Sequence, residues 1–303
     1  MLLGRGMDAL EAAGEQVAAL DGRFLLAALV LQLGSLGLRA VVWRNVLAAA
    51  YPDRPVPLAS VAGSYAVGVA LNAFVPARGG EIAKLALVRS RIHGSTVSTV
   101  AATLSVVLVI DAAFGAMLLL CLAALGVAPI PPLPSIGFLP VLAGTALLGV
   151  GFVAFRCCPR PAKSFLAHVA QGGAVLRSPS RYLRTVAPFQ LAAWGCRVGV
   201  AFFVLYAFGI HAGIAAAALV VVLNGLSTVV PVPGGVGTQQ VLAAYALRGL
   251  VPLAGAISFS VGLQVGVTVV NTLVGLTALM LMFRTARPLG ALRSGLGLAR
   301  SQA

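Results

Sequence analysis

The sequence predicts an all-α polytopic membrane protein with two inverted-repeat-like halves, each carrying a broken, re-entrant helix hairpin. Three observations lead there. The 303 residues are 60% hydrophobic and only 9% charged, with a mean hydropathy of +1.02, whereas a soluble domain carries about 25% charged residues to cover its surface. The apolar runs are long, rich in Ala, Leu and Gly, and do not alternate, so they read as spanning helices and not as barrel strands. Two of the runs are interrupted at similar places in the two halves, at Leu71–Lys84 and at Asn224–Gln240, by Gly, Pro and polar residues.

The formal charge of +14 does not point to nucleic acid. The basic residues fall between apolar runs, as the positive-inside rule produces in a bacterial cytoplasmic membrane. No acidic residue follows Asp111, so no carboxylate pair for acid/base chemistry is evident, and the chain is not expected to be an enzyme. Cys121, Cys157, Cys158 and Cys196 match no metal or redox spacing. His93, His168 and His211 are expected in loops, with no ligand set among them. Neither a metal nor a cofactor is expected.

In order along the chain, residues 1–22 mix Asp8, Glu11, Glu15 and Asp21 with apolar residues, as an interfacial amphipathic helix does. A single transmembrane domain covers 23–283, in halves 23–125 and 187–283, and a basic tail follows over 284–303. The first span is expected over 24–43, anchored at a membrane interface by Arg39, Trp43 and Arg44. An apolar arm over 57–75 reaches the first break, and a short helix over 80–92 leaves it. The next span, 96–125, holds Asp111 near its middle. An uncharged Pro-rich loop, 126–137, is placed outside, and 138–155 is the connecting span. The basic segment 156–184, with Arg156, Arg160, Lys163, Arg177, Arg181 and Arg184, is placed on the cytoplasmic surface, partly helical and suited to anionic lipid headgroups. Spans over 187–209 and 253–283 flank the second broken arm pair, 213–230 and 237–249.

Parity of crossings makes each broken segment either a re-entrant hairpin or two full crossings, and arm length favours the hairpin. An arm of 237–249 reaches about 20 Å at 1.5 Å per residue, short of a bilayer core of about 30 Å. With the C-terminus cytoplasmic, the hairpins enter from opposite faces, and the two halves become an inverted repeat. Transporters frame mid-membrane sites with such broken helices.

The candidate site is therefore the two breaks. In the first, Asn72, Pro76, Arg78, Gly79, Gly80, Glu81 and Lys84 lie within a few residues of one another. Gly79-Gly80 permit close backbone approach. The following helix start turns free N–H groups toward the break, which suits phosphate, and Arg78 and Lys84 add cations. The alternative for Arg78 and Lys84 is snorkelling to lipid phosphates at the interface. In the second break, Asn224, Pro233, Gly234, Gly235, Gly237, Gln239 and Gln240 offer backbone and amide groups. Asp111 and Arg197 are charges inside spans, which face a cavity or a partner and could pair with each other. Gln190, Gln264 and Asn271 are expected to join helices by hydrogen bonds.

Asn72…Pro76-Ala-Arg78-Gly-Gly-Glu81 and Pro233-Gly-Gly-Val-Gly237 resemble the two signatures of the transmembrane, flippase-like domain of lysylphosphatidylglycerol synthases, over nearly the whole chain. The resemblance implies lipid translocation and not lysine transfer, because the soluble aminoacyl-transferase domain of full synthases is not in this chain. Two positions depart from relatives: Val107-Leu108 stand where Glu-Arg often precedes the Asp, and Gln239 or Gln240 stands where an acidic residue often follows the Gly-rich signature.

The expected function is translocation of a membrane lipid with an anionic or phosphate-bearing headgroup. The alternative is a membrane-embedded lipid-biosynthesis enzyme or accessory subunit, as in hopanoid or aminoacyl-lipid pathways, with Glu81 or Asp111 as base. Expected partners are membrane lipids and, for an accessory role, a lipid-synthesis enzyme.

Overall fold

The computed structural model describes residues 20–75, 79–92, 94–127, 161–227 and 237–283. The described residues form helices with no strand. In chain order these are α1 (Gly22–Ala50), α2 (Leu58–Asn72), α3 (Gly80–Arg89), α4 (Val97–Ala124), α5 (Pro161–Gly172), a 3-10 turn (Ala174–Arg177), α6 (Pro179–Thr185), α7 (Ala187–Ala207), α8 (Ile214–Ser227), α9 (Thr238–Ala246) and α10 (Leu253–Phe283). The N-terminal segment up to residue 19, the connecting span 138–155 and the tail 284–303 lie outside the described residues.

Four of these helices, α1, α4, α7 and α10, are long and apolar enough to cross a membrane. At 1.5 Å per residue they reach about 30 to 45 Å, enough for a hydrocarbon core of about 30 Å. The paired short helices α2/α3 and α8/α9 reach only about 14 to 22 Å each on the same rise. Side-chain caps mark two of the long starts. Asp21 Oδ1 accepts from the Arg23 amide at 2.9 Å, and Thr96 Oγ1 accepts from the Thr99 amide at 3.3 Å.

The first span is longer than the sequence reading placed it. It runs on from Trp43 to Ala50 because Val46 and Leu47 are fully buried against neighbouring helices. Trp43 is not an interfacial anchor: its ring is buried, and its indole N–H donates to Thr103 Oγ1 at 3.3 Å. His168 is likewise not in a loop. It lies in α5, an amphipathic helix of the basic segment.

The spans α1 and α7 pack on each other along their length and run in opposite directions. Phe24 meets Phe203 and Tyr206 with ring centroids 6.2 and 5.5 Å apart. Gly34 faces Cys196, and the Asn45 amide donates to the Thr185 carbonyl at 2.6 Å. Each hairpin then leans on the last span of the other half. Helix α2 runs antiparallel to α10, with Gly63 against Met282, Ala66 and Ala70 against Gly275, and Val67 beside Leu279. Helix α8 packs on α4, in an apolar cluster holding Leu122 and Leu219. Small residues at these crossings let the backbones approach, which is how helices gain contact where lipid supplies no hydrophobic drive.

Both ends of the α2/α3 hairpin emerge at one face of the bundle. There Arg44 Nε donates to the Val56 carbonyl at 3.1 Å, Gln171 Nε2 to the Ala50 carbonyl at 2.9 Å, and Arg91 Nη2 to the Met282 carbonyl at 2.7 Å. Both ends of the α8/α9 hairpin emerge at the opposite face, where Ile210, Ala212, Leu247 and Ala256 share one cluster. Opposite the packed faces, Ile257, Val261, Val265, Val269, Leu273 and Leu276 of α10 are exposed at steps of four, then three. Such a stripe faces lipid; in water it would be a large apolar patch.

The tightest crossing lies inside the first hairpin. A Cβ on Gly80 would collide with the Gly68 carbonyl oxygen and come within 2.6 Å of Asn72 Oδ1. A Cβ on Gly68 would reach the Lys84 side chain and lie 2.7 Å from the Gly80 carbonyl. We expect Gly80→Ala to lower stability by about 1–3 kcal/mol, since the Gly68 backbone cannot yield as a flexible side chain would. Gly266→Ala, where an added Cβ meets nothing within 4 Å, should be neutral or slightly stabilising. Thermal unfolding of the two variants in detergent checks the contrast, and equal melting temperatures would contradict it.

Candidate functional site

Glu81 sits in the first turn of α3, where the helix dipole favours a carboxylate. It accepts from Asn72 Nδ2 at 2.8 Å, which fastens the end of α2 to the start of α3 across the break. It also accepts from Lys84 Nζ at 2.9 and 3.1 Å. Lys84 does not snorkel to an interface. It is only 4% exposed, and its ammonium lies 4.4 Å from the centre of the Tyr65 ring. The i,i+3 spacing and the Gly68–Gly80 contact direct it inward, between the two arms. Asn72 Oδ1 is buried and has no hydrogen-bond partner among the described residues. Gly79 and Gly80 lie at the helix start, while Pro76 and Arg78 are outside the described residues.

From Tyr65 the polar side chains continue across the bundle. The Arg39 guanidinium lies 5.8 Å from the centre of the same ring and 3.4 Å from Asp111 Oδ2. Arg197 Nη1 reaches the same oxygen at 3.2 Å, and Gln190 Nε2 donates to Oδ1 at 2.8 Å. The Arg197 guanidinium is stacked on Trp194, 3.7 Å from the ring centre. Helices α1, α4 and α7 are thereby joined through one carboxylate. Asp111 lies at the middle of α4 and Arg197 is the middle residue of α7, so the cluster is at mid-depth. With Lys84 and Glu81, the array holds three cations against two carboxylates.

The structure thus brings Asp111 and Arg197 together and adds Arg39, which the sequence reading had taken for an interface anchor. The signal was present. Arg39 has Leu36-Gly-Leu38 before it and Ala40-Val-Val42 after it, the same apolar setting that singled out Arg197. Tyr65, between the two charge groups, had no sequence signal beyond its aromatic type.

The second break is neutral. Gly237 has φ +86°, a backbone state that L side chains avoid. Its N–H donates to Gln240 Oε1 at 2.6 Å, and Gln240 Nε2 donates to Gln264 Oε1 on α10 at 2.7 Å. Gln239 is half-buried in the first turn of α9. The Asn224 carbonyl accepts from Ser227 Oγ at 2.6 Å, and Asn224 Oδ1 is buried without a partner among the described residues. Pro233, Gly234 and Gly235 lie outside the described residues. Asn271 pairs with Gln32 at 2.8 Å, so Gln190, Gln264 and Asn271 all bridge helices. Both hairpins meet α10, α2 on its C-terminal half and α9 at Gln264 near its middle.

Spanning helices, two short-armed hairpins and a charged array buried between them define a multi-pass helical membrane protein. The chain belongs to the lysylphosphatidylglycerol synthase TM region family, whose model matches residues 5–275. No curated protein and no solved structure matches it.

Glu81 and Lys84 form a buried pair whose members depend on each other. Lys84→Met alone leaves the Glu81 charge unmatched and should cost about 3–5 kcal/mol. Adding Glu81→Gln, which keeps an acceptor for Asn72, should restore much of that loss. A double-mutant cycle by thermal unfolding in detergent reads the coupling; additive losses would show that the two charges act independently.

Proposed function

We propose that the protein carries a phosphate-bearing lipid headgroup across the bilayer while the acyl chains stay in lipid. The observation that carries this reading is a cation-rich array held at mid-depth beside the tip of a re-entrant hairpin. A charge at that depth is costly unless it is matched, and such residues mark substrate pathways. The antiparallel course of α1 and α7, and the exchange of hairpins between halves, support an inverted repeat, in which alternating access is a rocking of one half against the other. Membership in a lipid-related membrane family agrees with a lipid cargo.

We place the protein in a bacterial cytoplasmic membrane with the C-terminus inside. Among the described residues, Arg44, Arg54, Arg89, Arg91, Arg177, Arg181 and Arg184 gather at one end of the bundle, against Arg23 and Arg248 at the other. That asymmetry supports the orientation by the positive-inside rule and offers anionic lipid headgroups a docking face. An enzymatic role with Glu81 or Asp111 as base is disfavoured, because both carboxylates are already ion-paired.

The test is a proteoliposome assay with a headgroup-labelled or chain-labelled fluorescent phospholipid and an impermeant quencher. The purified protein should speed exchange between leaflets over empty liposomes. Arg78→Ala, at the centre of the first signature, should reduce the rate at least tenfold while leaving the melting temperature unchanged. No acceleration by the wild-type chain, with altered lipid species in a deletion strain, would favour the biosynthetic reading instead.

A further inference from the structure

We propose that Arg39 and Arg197 form an oxyanion site at mid-depth, and that Asp111 is an internal counter-ion which an incoming phosphate replaces. The lipid as source of that phosphate rests on the translocation reading; the site itself does not.

Six observations carry it. Two guanidinium groups share one carboxylate oxygen, Asp111 Oδ2, at 3.4 and 3.2 Å. Each contact is monodentate, so neither planar fork makes the two-point contact that guanidinium makes with phosphate. Arg197 Nε is buried with no hydrogen-bond partner among the described residues, an N–H whose isolation is costly away from water. The three side chains are 29%, 21% and 19% exposed for Arg39, Arg197 and Asp111, so the cluster is not sealed into the protein core. Gln190 holds the other carboxylate oxygen at 2.8 Å, which gives Asp111 a partner to remain with when its arginines turn to a ligand. The remaining charges of the array, Lys84 and Glu81, pair with each other on the far side of Tyr65. They leave the excess positive charge at the arginines.

One arginine would balance the charge of the carboxylate. Two arginines and one aspartate leave a net cation in the middle of a membrane, and an oxyanion neutralises it. Stacking on Trp194 fixes the plane of the Arg197 guanidinium, so binding there is also optically visible.

Titration calorimetry of the detergent-purified protein tests the site with three probes: dihexanoyl phosphatidic acid, dihexanoylglycerol and inorganic phosphate. Phosphatidic acid should bind, and dihexanoylglycerol should not. Arg39→Gln leaves a balanced Arg197–Asp111 pair, so it should fold, yet it should weaken phosphatidic acid about tenfold through loss of one charge-assisted contact. Asp111→Asn removes the competitor and should tighten binding about tenfold, a gain that a purely structural aspartate would not produce. The Trp194 emission should change with saturation, and Trp194→Phe should abolish that signal. Inorganic phosphate binding as tightly as phosphatidic acid would assign free phosphate as the ligand; much weaker binding would assign the lipid. The site is overturned if no phosphate probe binds the wild-type chain, if Arg39→Gln binds as the wild type does, or if a folded Asp111→Asn binds no more tightly. Leaflet exchange in proteoliposomes separates the two ideas. Binding without exchange keeps the site and removes translocation, whereas exchange indifferent to Arg39→Gln keeps translocation and removes the site.

Discussion

The ion cluster around Asp111 is the contact on which the arrangement of the spans depends. One carboxylate on α4 takes Arg39 from α1 and Arg197 and Gln190 from α7. None of these groups can remain unmatched at mid-depth, so the pairing sets the rotation of three helices about their axes. The apolar faces alone would not do this, since a helix rich in Ala, Val and Leu is nearly as well solvated by lipid in one rotation as in another. The register of α1 on α7, from Phe24 beside Phe203 to Asn45 beside Thr185, places Arg39 within reach of Asp111.

The hairpins solve a different problem. A chain that turns back inside a membrane leaves backbone groups without helical partners, and lipid cannot satisfy them. In the first hairpin Asn72 at the end of one arm donates to Glu81 at the start of the other, and Lys84 donates to the same carboxylate. The contact of Gly68 with Gly80 brings the arms close enough for that bond. In the second, Gln240 accepts from the Gly237 amide and passes its own N–H on to Gln264. The first hairpin thus carries an ion pair at its tip and the second only neutral amides.

Tyr65 connects these two levels. It is buried between Lys84 and Arg39, and its ring face attracts both cations. The hairpin tip and the mid-depth cluster are therefore neighbours in one array. Movement of the hairpin would change the surroundings of Arg39 without moving the spans.

The sequence by itself determined the class, the order of the described helices and, apart from the end of the first span, their ends to within a few residues, because apolar run length and Gly/Pro punctuation are properties of local stretches. It also picked out Glu81, Lys84, Asp111 and Arg197, since any charge in an apolar run stands out. The same rule applied to Arg39 would have found it; its closeness to Trp43 and Arg44 disguised it as an anchor, and the burial of Trp43 depends on Thr103, sixty residues on. That Lys84 turns inward, that Tyr65 lies between two charge groups, and that two arginines converge on one aspartate were decided by tertiary structure alone. These are contacts between helices far apart in the chain, and no local pattern records which faces of nearly featureless helices will meet.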